Sequence, residues 1–231
     1  MKTAILSLIV ISAASFSTVL VSDDFNDGNA DGWFEFPTGA SYTVEAGRYC
    51  FTHTAPDTVW ADSWISDIVG GMSVSDYSCR VNLMANEGEM FGIVGRGNFT
   101  MVQGYGLLII IDETDKYLVI IKIEGIAQGQ LLGVMPVSFS YGQEYWLRLE
   151  MNGNLIGGKY WTGNAGDEPV VWNLTVTDNS YQDPGVFALF GYDSNTGGSA
   201  SMDVSFDDVE ITDETTLDLK SSSWAFVKSL F

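Results

Sequence analysis

The stretch from Leu107 to Ile121 reads LLIIIDETDKYLVII. Two apolar runs, Leu107–Ile111 and Tyr117–Ile121, flank a short acidic turn, and neither run shows the 3.6-residue apolar spacing of an amphipathic helix. Strands that are apolar on both faces are typical of the centre of stacked sheets. This stretch therefore predicts two central strands of a layered β protein.

Short apolar segments separated by turns continue on both sides of this stretch. Turn residues such as Asn152-Gly153-Asn154 lie between or within them. We predict about twelve strands, with these bounds: Ser41–His53, Val59–Asp67, Tyr77–Ala85, Met90–Arg96, Tyr105–Asp112, Lys116–Glu124, Gln130–Val137, Glu144–Met151, Leu155–Trp161, Val170–Thr177, Gly185–Gly191 and Ser201–Thr212. The pattern predicts an all-β jelly-roll β-sandwich of two antiparallel sheets.

The 231 residues are enough for one large β domain. Residues 1–22 combine an early positive charge, a short apolar run and small residues, which is the pattern of a secretory signal peptide too short to span a bilayer. We expect the domain at residues 23–212 and a linker with a short tail at residues 213–231. Trp224, Val227 and Phe231 would share one side of a short helix. Such a tail could dock or sort the protein, lie against the domain, or stay disordered.

The chain is strongly acidic, with 30 acidic and 10 basic residues and a net charge of −20. This charge disfavours binding to nucleic acid and anionic lipid and favours cations or neutral ligands, although acidity is also a common means of staying soluble. We expect no integral membrane segment after the leader. The protein would then be secreted, or held in the periplasm or at the cell surface.

Two cysteines, Cys50 and Cys79, are present. An oxidising compartment would allow one disulfide between them, and two free buried thiols are the alternative.

An acidic segment, DDFNDGNADGWFE, occupies residues 23–35. Within it, Asp27-x-Asn29-x-Asp31-Gly32 matches half of a calcium-binding loop, since short oxygen-bearing side chains at this spacing can wrap a calcium ion. Position twelve of that loop is Thr38 rather than Glu, and no helices flank it. The segment is either an acidic turn before a strand or part of a metal site.

In order and spacing, a series of short motifs resembles the concanavalin A-like lectin/glucanase superfamily, in particular the laminin-G-like modules of secreted bacterial proteins. The motifs are Asp23–Gly28 with Gly32-Trp33, Gly92–Arg96, Gly104-Tyr105-Gly106, Tyr145–Glu150, Trp161 with Glu168-Pro169 and Trp172, Thr177-Asp178, and Phe206–Val209. The resemblance covers residues 23 to about 212. It implies the fold, but this fold hosts lectins, glycanases, lyases and adhesion modules.

The resemblance also implies a calcium ion that joins the first strand to the last. Matching positions are Asp23 or Asp24 near the start and Asp207 or Asp208 near the end. Adjacent carboxylates would otherwise repel each other, and calcium takes six to eight oxygen ligands. These residues compete with the half-loop as the calcium site, or simply cap exposed strand ends.

A carbohydrate site needs a flat aromatic ring and polar groups for the hydroxyls. The resemblance would place the candidates on or beside the concave sheet, and they are Arg96, Tyr105, Lys122, Lys159, Trp161, Trp172, Asp178 and Tyr192. The cations among them could instead pair with carboxylates across the sheet.

Catalysis has less support in the sequence. His53 is the only histidine, and the Glu-x-Asp-x-Glu motif of related glucanases is absent. We therefore expect a non-catalytic, calcium-stabilised carbohydrate-binding module. The alternatives are a glycoside hydrolase or polysaccharide lyase using Asp178, Glu150 or Arg96, and an adhesion module with a protein partner.

Overall fold

The structure, a computed structural model, describes residues 18–36, 39–55, 59–65, 74–98, 100–112, 114–125, 128–194, 200–213 and 215. These residues form fifteen strands and one 3₁₀ turn at Ala165–Asp167. The strands are β1 Val19–Asp23, β2 Trp33–Glu35, β3 Ser41–Glu45, β4 Arg48–Ala55, β5 Val59–Ile65, β6 Tyr77–Glu87, β7 Met90–Asn98, β8 Gln103–Asp112, β9 Asp115–Gly125, β10 Gln128–Pro136, β11 Glu144–Asn152, β12 Leu155–Trp161, β13 Leu174–Thr177, β14 Val186–Asp193 and β15 Ala200–Thr212.

Two antiparallel sheets pack face to face, which confirms the predicted β-sandwich. The first sheet has the order β13-β12-β11-β6-β15-β4-β3, with β1 also paired to β15. The second sheet has the order β10-β9-β8-β7-β14-β5-β2. The core lies between them and is filled by side chains from alternate positions of both sheets.

The central strands predicted from Leu107–Ile121 are β8 and β9. They form a hairpin in which Leu107 pairs with Ile120 and Ile109 with Leu118. All four of these side chains are fully buried in the core. The intervening residues, such as Leu108 and Val119, point to the other side of the sheet and are also buried.

The predicted count of about twelve strands was too low. Ser41–His53 is two strands, because Ala46 and Gly47 adopt positive φ angles of 52° and 77° and turn the chain back. Two further strands, β1 and the three-residue β2, were not predicted.

The predicted domain boundary between residues 22 and 23 falls inside a strand. Val19–Asp23 forms β1 and pairs with the end of β15, so the folded domain begins about four residues earlier than expected. Residues 1–17 and the predicted tail Trp224–Phe231 lie outside the described residues.

Of the two alternatives for Cys50 and Cys79, the structure shows two free thiols rather than a disulfide. Cys50 lies on β4 opposite Ser205, whereas Cys79 lies on β6 opposite Ile211, with β15 between the two strands. Strands two apart are separated by about 10 Å, which exceeds the Cα separation of about 7 Å that a disulfide tolerates. Burial raises the pKa of both thiols, so they stay protonated and poorly reactive.

Candidate functional site

The first and last strands meet at an acidic junction. Asp23 at the end of β1 lies opposite Val209 of β15. The ladder between β15 and β6 is irregular between Asp207 and Glu210, and Asp208 has a φ of 48° there. Short Asp side chains tolerate this left-handed conformation better than most residues do. The fold thus brings Asp23 and Asp24 near Asp207 and Asp208.

The half-loop builds a compact turn in which the acidic and amide side chains cap main-chain N–H groups. Asn29 N–H donates to Asp27 Oδ1 at 3.1 Å, and Asp31 N–H donates to Asn29 Oδ1 at 2.8 Å. Asp23 works in the same way, because it accepts from Phe25 N–H at 2.9 Å and from Trp33 Nε1 at 2.8 Å. These side chains therefore shape the loop that follows β1.

This loop and the outer face of the first sheet enclose a cleft of about 500 Å³, which we name the aspartate cleft. Its lining residues are Ser22, Asp23, Asp24, Asp27, Arg80, Trp146, Ala165, Asp208, Val209 and Glu210. Five of the ten are carboxylates and one is a cation, so the cleft carries a negative charge.

Arg80 is the one cation of this lining. Its Nη2 lies 2.9 Å from Glu210 Oε1, and its guanidinium carbon lies 5.5 Å from the ring centre of Trp146. The Arg80 side chain keeps 27% of its surface exposed. A planar donor group and carboxylate acceptors therefore meet in one cleft beside the nearly buried ring of Trp146, and donors and acceptors together suit a ligand rich in hydroxyl groups.

Charges at the acidic junction act on each other. Burial raises the pKa of Asp207, and the nearby negative charges of Asp208 and Asp24 raise it further, although Arg48 opposes them. Hydrogen bonds from the side chain and main chain of Asn26 hold the pKa of Asp24 below its ordinary value. A cation near these carboxylates would relieve their repulsion.

The junction is not a closed metal cage. Within the described residues, no three carboxylate, thiol or imidazole groups are placed closely enough to hold one metal ion. The chemistry of the donors suits calcium, which prefers hard oxygen ligands, but the side chains alone supply too few of them.

Three of the sequence-predicted ligand residues, Lys159, Trp161 and Trp172, come together beside the aspartate cleft. The Trp161 ring stacks on Trp146 with ring centres 5.9 Å apart. Lys159 Nζ lies 4.5 Å from the ring centre of Trp172. Trp146, Trp161 and Lys159 keep only 5%, 7% and 6% of their surface exposed, so the two stacked rings do not form an open platform.

Glu168 holds this aromatic group in place. It accepts from Lys159 Nζ at 2.6 Å and from Arg148 Nη1 at 3.1 and 3.2 Å. Arg148 also pairs with Glu150, which is fully buried. Burial raises the pKa of Glu168, but Lys159 and Arg148 outweigh this effect, so its net pKa lies below the ordinary value. A lowered pKa does not suit a general acid for glycoside cleavage.

A second group of predicted residues forms away from the cleft. Tyr105 Oη donates to Asp178 Oδ1 at 2.5 Å, and Lys122 Nζ lies 3.5 Å from Ser180 Oγ. Burial raises the pKa of Tyr105 to about 12, and the hydrogen bond to Asp178 adds to this rise. Burial also raises the pKa of Asp178, but hydrogen bonds from Tyr105 and Ser180 outweigh it and leave the net pKa lowered. This group ties the loop after β13 to the second sheet.

Arg96 is a structural residue, which corrects its predicted role in ligand binding. Its side chain is completely buried. The guanidinium donates to the main-chain oxygens of Ser75, Gly153 and Tyr181 at 2.7, 2.7 and 3.0 Å. It also pairs with Asp76 at 2.9 Å. No donor group of Arg96 is therefore accessible to a ligand.

Tyr192 lies apart from both groups, on β14 opposite Met90. Burial raises its pKa, as do the nearby charges of Glu89 and Asp193. The predicted ligand residues thus divide among several places in the fold.

Sequence reasoning missed that Arg80, Trp146 and Glu210 meet in the cleft. A usable signal was present, because alternation puts Ser78, Arg80 and Asn82 on one face of β6. The register that sets Glu210 beside Arg80 depends on the irregular pairing of β15, which no local sequence pattern reveals.

Within the described part of the chain, the structure contains no helix that is long and apolar enough to span a membrane.

Comparisons with known proteins identify the fold. No protein-family model and no curated protein sequence matches this chain. Among solved structures, the carbohydrate-binding module CBM66 from Bacillus subtilis aligns with a TM-score of 0.56 at 15% identity, over 78% of this chain and 94% of that one. The fold is a concanavalin A-like jelly roll.

The same jelly roll occurs in proteins with different activities. SCLam, a non-specific endo-β-1,3(4)-glucanase from family GH16, aligns with a TM-score of 0.58 at 9% identity over 87% of this chain and 93% of its own. The exoplasmic/lumenal domain of VIP36 in its Ca²⁺-bound form aligns with a TM-score of 0.57 at 10% identity over 86% and 92%. The jelly roll alone therefore does not separate binding from catalysis.

Proposed function

We propose that this protein is a secreted, non-catalytic carbohydrate-binding domain and that its ligand binds in the aspartate cleft. The observation that carries the proposal is the meeting of Arg80, Trp146 and several carboxylates in one cleft of about 500 Å³. Sugar hydroxyls both donate and accept hydrogen bonds, so they suit a lining that offers a guanidinium and carboxylates together. The structural likeness to CBM66 supports this assignment at the level of the fold.

The charge of the cleft indicates which glycans it would take. Carboxylates outnumber the single cation, Arg80, in its lining. A glycan with uronic acids would be repelled, whereas a neutral poly- or oligosaccharide would not. We therefore propose a neutral glycan as the ligand.

Calcium belongs to the same proposal, with Asp24 on one side and either Asp207 or Asp208 on the other as the carboxylates that would hold it. The ion would neutralise carboxylates that repel each other across the junction of the first and last strands. Because the described side chains do not form a group of three ligands, most of the coordination would come from water and main-chain oxygens. We expect weak binding, with a dissociation constant on the order of 10⁻⁴ to 10⁻³ M.

The test measures binding of the purified protein to a panel of neutral and acidic polysaccharides, with calorimetry for every positive glycan. We expect saturable binding to at least one neutral glycan. Arg80→Met keeps the aliphatic stem but loses the donors, and we expect it to weaken binding about tenfold or more, which corresponds to about 1.4 kcal/mol. Lys122→Met, which removes a cation outside the cleft, is the matched control.

Three results would contradict this proposal. Binding to no neutral glycan would exclude the function, and equal affinities of the two variants would exclude the aspartate cleft as the site. Release of shorter sugars or unsaturated ends from a bound glycan would show that the protein is an enzyme.

A further inference from the structure

The outer face of the second sheet, which points away from the main core, is a second apolar surface. Alternation directs Ile93, Leu107 and Ile120 into the main core, so their neighbours point outward. Cross-strand pairs then place the outward residues side by side. We name this surface the outer apolar face and define it by Val94, Leu108, Val119, Ile121, Ala188 and Phe190.

The outer apolar face is already shielded at its centre. Val94, Leu108, Val119 and Ala188 keep 3%, 1%, 2% and 0% of their surface exposed. Val94 and Ala188 form a hydrophobic cluster of their own, separate from the main core. A sheet face with this composition needs another layer against it, because a domain buries apolar faces by stacking layers.

The outer face of the first sheet provides the contrast. It carries ion pairs such as Arg80 with Glu210 and Arg148 with Glu150. In an acidic protein with a net charge of −20, solvated sheet faces are expected to carry charged side chains of this kind. The outer apolar face therefore functions as a packing surface.

We propose that the C-terminal segment Trp224–Phe231 packs on the outer apolar face. Trp224, Val227 and Phe231 fall on one side of a helix, which gives the segment an apolar stripe. An eight-residue helix is about 12 Å long, which matches the width of about three strands. The proposal concerns a different surface from the aspartate cleft and does not depend on carbohydrate binding.

The chain leaves the sandwich at the correct end for this contact. Thr212, the last residue of β15, pairs with Ser78 at the start of β6. The neighbouring Tyr77 accepts a hydrogen bond from Arg96 N–H at 2.5 Å, and Arg96 lies two residues after Val94 on β7. The nine residues from 215 to 224 can span about 30 Å, whereas the two sheets are only about 10 Å apart.

Charge favours the same contact. Lys220 and Lys228 place two of the ten basic residues of the chain in or next to the segment. Residues 216–231 carry these two lysines against one acidic residue, Asp218, and the domain is strongly acidic, so the segment is attracted to it over the range of a Debye length, about 8 Å at physiological ionic strength.

The experiment compares the full chain with a chain that ends at residue 215. Binding of a hydrophobic dye and hydrogen exchange of the β8, β9 and β14 amides report on the outer apolar face. We expect truncation to raise dye fluorescence several-fold and to speed exchange in these strands. A synthetic peptide of residues 216–231 should reverse both effects saturably, whereas the same peptide with Trp224→Ser, Val227→Ser and Phe231→Ser should not.

Three further variants keep the test informative if the truncated chain does not fold. The full chain with the same three serine substitutions should show the same exposure, whereas Phe226→Ser, on another side of the helix, should show much less. Ile121→Lys on the outer apolar face should make Lys220 and Lys228 more sensitive to trypsin than they are in the unaltered chain.

The opposite results would overturn the proposal. Unchanged dye binding and exchange after truncation would show that the segment does not cover the face. A dimer of the full chain whose face stays protected after truncation would identify a second copy as the occupant. If the outer apolar face becomes exposed only when residues 1–17 are removed, the apolar segment before Thr18 is its occupant.

Discussion

Arg96 shows how a single buried cation can organise several loops. Its guanidinium reaches the main-chain oxygens of Ser75, Gly153 and Tyr181, which belong to three separate connections. Its own φ of 46° places it at the irregular end of β7, where the regular pairing with β8 is interrupted. The side chain therefore ties the loops at one end of the sandwich to each other.

Replacing Arg96 should lower stability substantially. We expect Arg96→Met to cost about 3–5 kcal/mol, because several buried acceptors would lose hydrogen bonds from a charged donor. Arg96→Lys should recover only part of this loss, since one ammonium group cannot reproduce the planar fork. Urea unfolding provides the measurement, and Arg80→Lys, at a partly exposed ion pair, should cost less than about 1 kcal/mol. Equal losses for the two positions would contradict the structural role of Arg96.

Tyr105 and Asp178 should give stability a dependence on pH at both extremes. The pKa of Tyr105 is raised to about 12 in the folded state, from an ordinary value near 10. Its contribution to stability is present below pH 10 and should be lost as the pH rises from about 10 to about 12. The pKa of Asp178 is lowered, so its contribution is present above about pH 4 and is lost on further acidification.

Unfolding of the unaltered chain and of Tyr105→Phe, followed across pH, tests this pair. The difference in unfolding free energy between the two should shrink between about pH 10 and 12. Asp178→Asn should reduce the loss of stability below about pH 4. Parallel curves for the unaltered and variant chains over both ranges would rule out this assignment.

At this scale, the sequence predicts which residues are unusual better than it predicts what they do. Arg96 and Lys159, two basic residues within predicted strands of an acidic chain, were among the candidate ligand residues. Their roles depend on which carbonyl or carboxylate lies opposite each of them. That choice is made by strand register and by bulges, which are properties of the folded sheets rather than of local sequence.

β1 is the element whose assignment most changes the predicted domain organisation. Leu20 and Val21 pack against the main core, and Ser22 and Asp23 pair with Glu210 and Val209. The strand was not predicted because it continues directly from an apolar run that has the pattern of a signal peptide. Composition alone could not separate the end of that run from the first core strand.

Truncating the chain at two positions tests whether residues 19–22 belong to the folded domain or to the leader. A chain that begins at Thr18 should be as stable as the full chain, whereas one that begins at Asp23 should lose about 2–4 kcal/mol because Leu20 and Val21 no longer bury apolar surface. Denaturant unfolding measures the difference. If the protein is exported, its mature N-terminus should lie before Val19, and mass spectrometry of the secreted protein checks this. A mature N-terminus at Asp23 in a fully stable protein would contradict the importance of β1.

The remaining strands show which local signals were sufficient. Leu155–Trp161 has the predicted bounds, because Asn152-Gly153-Asn154 forms a tight turn before it and the apolar residues end where it ends. Val170–Thr177 shortens to Leu174–Thr177. Val170 and Val171 are 95% and 77% exposed in the preceding loop, so branched apolar residues without a partner strand do not make a strand.

At the scale of the whole molecule, the dominant property is the net charge of −20. Self-repulsion of this size favours bound cations and makes the acidic junction between β1 and β15 a sensitive point. The likeness to a calcium-bound lumenal domain supports the fold but leaves the ion itself as a proposal.

Calcium should raise the thermal midpoint of the unaltered protein, and a chelator should lower it. At about ten times its dissociation constant, calcium should add about 1.4 kcal/mol to the free energy of unfolding. Asp208→Asn should abolish most of this increase, because Asn accepts the same positive φ but lacks the charge. Asp27→Asn tests the half-loop as the alternative site, and Asp115→Asn, at a distant turn, is the control. An unchanged midpoint with and without the chelator would exclude both sites.

The pairing of β1 with β15 also determines how the domain would respond to tension. The chain enters at Thr18 and leaves at Asp213, and these two residues are joined by hydrogen bonds of 2.6 and 3.1 Å. Hydrogen bonds in an antiparallel pair run perpendicular to the strands, so pulling on the two ends opens them one at a time, like a zipper, instead of loading them together. The domain should therefore yield at low force when it is stretched from both ends, with β1 peeling away first.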